Sequence, residues 1–93
     1  MSSLRSLLPL LLVASFAAAQ EARNEFKQNC MSCHTIGGGR LTGPDLKGLA
    51  ERRDRAWVVR FILDPSGVLD SGDSYAARLL EESRGVRMPN IAG

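Results

Sequence analysis

Two cysteines three residues apart, with a histidine directly after the second, restrict this chain more than any other feature: Cys30-Met31-Ser32-Cys33-His34. On a helical turn, positions i and i+3 share a face, so both sulfurs can reach one edge of a flat ring while the imidazole comes round to a metal at its centre. The pattern reads as a site for covalent haem c. Three other readings fit less of it. A structural zinc needs four ligands, and only Cys30, Cys33 and His34 are strong candidates, two of them adjacent. A thioredoxin-like redox pair needs a strand before the first cysteine, yet Glu21 to Asn29 is polar and helix-like. A plain disulfide leaves the adjoining histidine unexplained.

Length adds a second constraint. The 93 residues allow one domain at most. Arg5, the apolar run Leu7 to Phe16 and the small residues Ala17-Ala18-Ala19 have the order of a secretory signal peptide, giving 1–19 as the signal and 20–93 as the mature domain. The apolar run is about half of the roughly 20 residues that a spanning helix requires. Loss of Arg5 lowers the net charge from +2 to +1, and two propionates would take it to about −1. That balance does not suit a nucleic-acid partner. A domain this short seldom stabilises itself with an apolar core alone, and a large flat cofactor held by thioethers would supply the missing apolar body. Export carries the cysteine pair outside the cytosol, to a periplasmic or other extracytoplasmic compartment.

No strand pattern or internal repeat is evident, so the fold class is all-α: short helices and loops wrapped around one haem. The first helix is expected over Glu21 to Met31, with Ala22, Phe26 and Cys30 on one face. Gly37-Gly38-Gly39 and Thr42-Gly43-Pro44-Asp45 break the helical pattern and form a loop. Asp54 caps a helix from Arg55 to Leu63 with the stripe Trp57, Val58, Phe61 and Ile62, and Asp64-Pro65 stops it. Asp73 or Ser74 caps another through about Ser83, with Tyr75, Leu79 and Leu80 inward and Gly85 at its end. Met88 then lies on an extended segment before Pro89.

His34 is the only histidine and supplies the proximal iron ligand. Met1 leaves with the signal and Met31 lies between the cysteines, so Met88 is the candidate distal ligand. Lys27, Lys47 and a water-bound iron are its rivals. A thioether opposite an imidazole favours ferrous iron and fills the position where oxygen or peroxide would bind. The basic cluster Arg52, Arg53 and Arg55 reads either as a solvated helix start or as a docking patch.

With these residues in place, the chain resembles a class I c-type cytochrome of the small bacterial monohaem kind. The resemblance rests on Cys30-Met31-Ser32-Cys33-His34, Thr42-Gly43-Pro44-Asp45-Leu46, the Trp57 helix ending at Pro65, and Met88-Pro89. It implies that the Pro44 carbonyl accepts a hydrogen bond from His34 Nδ1 and that the Trp57 indole N–H reaches a haem propionate. The resemblance also implies a C-terminal helix packed on the first helix. The chain stops at Ile91-Ala92-Gly93, so a C-terminally truncated domain is expected.

The functional expectation is an exported, non-enzymatic electron carrier working between respiratory redox proteins. The alternatives are a haem c subunit of a larger oxidoreductase and a peroxidase or sensor domain with an open distal site. Membrane association would come through a missing C-terminal segment or a partner complex.

Overall fold

In the computed structural model the described residues are 2–91, with side chains from 14 onward; the side chains of the apolar run's first part and the chain end at Ala92-Gly93 lie outside them. All regular structure among the described residues is helical. The chain divides into two units, Met1–Met31 and Ser32–Gly93.

The first unit is the helix α1, Ser2–Asn29. It is longer than the Glu21 to Met31 helix expected, because Ala17-Ala18-Ala19-Gln20 contains good helix formers and no breaker, whatever its fate in processing. At its end the Phe26 carbonyl accepts from both Cys30 N–H at 2.9 Å and Met31 N–H at 3.0 Å, which tightens the exit. Phe26 and Cys30 are half-buried and Ala22 is exposed. No described helix is long and apolar enough to cross a membrane.

The second unit holds α2 (Leu49–Arg52), α3 (Arg55–Leu63), α4 (Pro65–Asp70) and α5 (Ser74–Glu82). The bounds of α3 match the sequence expectation, with Asp54 at the N-cap position, although its side chain makes no capping hydrogen bond. Asp64-Pro65 does more than stop it. Asp64 is also the N-cap of α4, its Oδ1 accepting from Gly67 N–H at 3.0 Å, and Pro65 occupies the first helical turn, where its missing N–H costs nothing. α4 packs against both α3 and α5. Among the described residues the buried ones lie at this contact: Pro65 and Val68 from α4 and Ala76 from α5.

α5 is capped as expected, Asp73 Oδ1 accepting from Ala76 N–H at 2.9 Å. Its far end closes with Gly85 N–H on the Leu80 carbonyl at 2.9 Å and Arg84 N–H on that of Glu81 at 3.0 Å. Gly85 takes the left-handed conformation expected of it, at φ 81°, and Arg84 before it adopts positive φ as well, at 54°. A side chain in that conformation is strained. Arg84→Gly is therefore expected to stabilise the domain by about 0.5–1 kcal/mol, after the extra chain entropy of glycine is counted. A rise in thermal midpoint would show it.

Candidate haem-binding site

The loop from Cys33 to Lys47 is a cage of local hydrogen bonds around one imidazole. Gly43 N–H donates to the Cys33 carbonyl at 2.8 Å, and Leu46 N–H to that of Thr35 at 2.8 Å. Between these two rungs His34 Nδ1 lies 2.9 Å from the Pro44 carbonyl oxygen. A carbonyl can only accept, so Nδ1 carries the proton and the lone pair of the neutral ring sits on Nε2. An imidazole oriented in this way is ready to ligate a metal.

Gly43 makes room for it. A Cβ at that position would strike His34 Cε1 and stand 2.8 Å from Nδ1 and 3.0 Å from Nε2. The loop therefore needs glycine here for steric reasons.

Asp45 holds the other half of the loop. One carboxylate oxygen accepts from Gly37 N–H at 2.8 Å and Lys47 N–H at 2.9 Å, the other from Gly39 N–H at 2.9 Å. Those three donors, with Gly37 first, hold its pKa below the usual carboxylate range. Gly37 and Gly39 can present their N–H groups inward because both adopt positive φ, 92° and 94°. Arg52 braces the loop from α2, donating to the Lys47 carbonyl at 2.6 Å and the Asp45 carbonyl at 3.2 Å. Arg40 fastens it to the end of α5 through Ser83 Oγ at 3.2 Å and Glu82 at 3.7 Å.

The two cysteines sit in different surroundings. Partial burial, and secondarily the Glu25 carboxylate, push the Cys30 thiol above its ordinary value. Cys33 is half-buried with Ser32 Oγ at 3.7 Å from its sulfur. Both are free thiols.

Trp57 is bound differently from the expectation. Its indole N–H donates to Asp73 Oδ2 at 3.0 Å, so that donor is taken by the N-terminus of α5. The ring stacks on Phe61 at 5.1 Å and 12° and meets Tyr75 edge-on at 5.3 Å and 86°. Of the basic cluster, Arg52 serves the loop, and the Arg53 guanidinium lies 3.6 Å over the Tyr75 ring. Arg55 is exposed. Buried Arg53 Nε has no acceptor among the described residues.

Met88 is half-buried in a segment without regular structure after α5. Lys27 and Lys47 are exposed.

These residues fit haem c in four respects. The tautomer of His34 leaves Nε2 for iron, and the two thiols are available for thioether bonds. Val59, Ile62 and Leu63 form one exposed apolar face of α3, and Ile36 and Leu41 of the loop are exposed to 68% and 48%, a lining suited to an apolar ring. The unpartnered Arg53 donor suits a carboxylate such as a propionate.

Comparison with known proteins points the same way. Residues 19–83 match the family model described as Cytochrome c. No curated protein matches the chain. Among solved structures, a cytochrome c from Rhodothermus marinus superposes with a TM-score of 0.74 at 27% identity, covering 83% of this chain and 64% of its own. The cytochrome c domain of the pp3183 protein from Pseudomonas putida gives 0.63 at 34% identity, covering 74% of this chain and 69% of that one.

Proposed function

Because the chain belongs to the cytochrome c family, as a small class I c-type cytochrome that binds haem c covalently and transfers electrons, we propose that it is exported and carries single electrons between redox proteins of a respiratory chain. The observation that carries the site reading is the His34 Nδ1 bond to Pro44 directly after the cysteine pair.

On this reading Cys30 and Cys33 hold the ring by thioethers and His34 and Met88 bind the iron, which supplies the ferric and ferrous states. The Pro44 carbonyl fixes the imidazole's tautomer and raises the basicity of Nε2. Met88, as a thioether, favours the ferrous state and keeps small oxidants from the iron, which suits a carrier better than an oxygen- or peroxide-using enzyme. Arg53 offers a propionate its donor, since the Trp57 N–H serves Asp73.

Arg5, the apolar run and Ala17-Ala18-Ala19 support export to the periplasm, with 1–19 removed. The family match starting at residue 19 is in keeping with that boundary. A second reading, a haem c domain or subunit of a larger oxidoreductase, is favoured by the Pseudomonas putida relative, itself described as a domain of another protein. The chain spans 64% of the Rhodothermus marinus protein's length.

The test is maturation. Exported from a host with a haem c assembly system, the protein should keep its haem through acidified organic solvent and denaturing electrophoresis, and Cys33→Ala should leave one thioether or none. Complete extraction of haem from the parent protein would refute attachment. In the same preparations Met88→Ala should abolish the weak far-red band of methionine-ligated ferric haem; a band that persists would assign the distal ligand to another residue.

A further inference from the structure

Met88 lies on a segment with few bonds of its own. Among the described residues the last backbone hydrogen bond before it is Val86 N–H to the Ser83 carbonyl at 3.1 Å. The residue next to Met88 is fastened by its side chain instead. Both terminal nitrogens of Arg87 lie 3.3 Å from Asp70 Oδ1, at the last turn of α4. α4 is the helix that contributes Pro65 and Val68 to the buried core, so the anchor point belongs to a packed helix.

We propose that the Arg87–Asp70 ion pair is a latch that holds the Met88 strap in place, and that its release sets how readily an outside ligand displaces Met88 from the iron. The inference rests on the reading of Met88 as distal ligand. Arg87 and Asp70 are positioning residues in this scheme and touch no reacting atom. Their side chains are 47% and 68% exposed, so salt screens the pair and its effect is modest. An exposed pair of this kind changes an open population by about two- to five-fold.

The experiment measures the rate at which cyanide binds the ferric holoprotein, which requires the strap to open. Arg87→Gln and Asp70→Asn should each raise that rate about two- to five-fold, and the double variant should be no faster than either single one. Concentrated sodium chloride should raise the parent's rate by a similar factor and leave that of Arg87→Gln nearly unchanged. Exchanging the charges, Asp70→Arg with Arg87→Asp, should restore the slow rate, which general loosening of the fold would not do. Met88→Ala separates the two claims. If it binds cyanide rapidly while Arg87→Gln matches the parent, the latch is refuted and the ligand assignment stands. If Met88→Ala binds as slowly as the parent, the ligand assignment falls and the latch falls with it.

Discussion

Gly43→Ala should keep its haem and lose its proximal ligand. The added methyl would occupy the volume of the His34 ring, striking Cε1 and standing 2.8 Å from Nδ1. The imidazole cannot yield along its plane without giving up the Pro44 carbonyl at 2.9 Å, and the loop backbone is pinned on either side by the Cys33–Gly43 and Thr35–Leu46 bonds. Overpacking of this kind costs about 1–3 kcal/mol, more than the net worth of the one hydrogen bond that would be given up, so the ring moves. The thioether linkages do not involve His34, and haem should still resist extraction. The ferric spectrum should gain a large high-spin or misligated fraction, where the parent should be low-spin. Gly72→Ala is the control: its φ of 86° makes a side chain costly, but nothing lies within 4 Å of the added Cβ. That variant should lose about 1 kcal/mol of stability with an unchanged spectrum. A Gly43→Ala protein with parental spin state would show that the loop relaxes around the methyl.

Asp73→Ala should be strongly destabilising although Asp73 lies outside the iron site. Asp73 Oδ1 caps α5 through Ala76 N–H, Oδ2 holds the Trp57 indole of α3 at 3.0 Å, and Arg60 stands 4.0 Å away. One carboxylate thus ties two helices at the aromatic cluster of Trp57, Phe61 and Tyr75. A fall of roughly 5–15 °C in thermal midpoint is expected from losing cap and tie together. Asp73→Asn is informative too, because an amide has only one acceptor oxygen: it can keep the cap or the indole bond, and it presents N–H to the other donor.

The pH dependence follows from the same bonds. The Ala76 N–H first, then the Trp57 N–H, hold the Asp73 pKa below the ordinary carboxylate value. A depressed carboxylate contributes stability that is complete above its unfolded pKa, about 3.9, and is lost as pH falls through the lower folded value. Asp45 has the same sign, so both the His34 loop and the α3–α5 tie should weaken together below about pH 4. Between pH 5 and 8 neither should change the midpoint. Thermal melts of the parent and Asp73→Ala across this range would show the two curves converging in acid; parallel curves would refute the assignment.

How much of this was legible in the sequence differs by element. The α3 bounds were readable because Asp54 and Pro65 act locally, and α5 because Asp73 is a good cap three residues before Ala76. Asp64-Pro65 reads in the sequence as the stop of α3, and nothing there announces α4, since proline at a first turn starts a helix as well as ending one. α2, four residues entered from Gly48 at φ 76°, has no side-chain cap to announce it. The His34–Pro44 bond was anticipated through family resemblance, and its geometry is now visible. The requirement at Gly43 was not, because the residue it must avoid lies nine positions away and only the folded loop brings the two together. Arg53, with Arg52 and Arg55, reads in the sequence as a solvated helix start or a docking patch. Nothing in its spacing reveals that Tyr75, on another helix, would come to lie beneath it.

The bonds that seat His34 close over short stretches of chain: Cys33 to Gly43, His34 to Pro44, Thr35 to Leu46, Asp45 to its three amides, and Arg52 to the carbonyls of Asp45 and Lys47. Short loops lose little entropy on closing and form early in folding. Met88, by contrast, follows His34 by more than fifty positions and depends on helices that must first pack. Local closure of this kind favours early formation of the His34 loop, ahead of the Met88 segment, which depends on packed helices. A haem delivered during that interval would meet an organised imidazole on one side and an open iron on the other, and closure of the second side would mark the completed molecule.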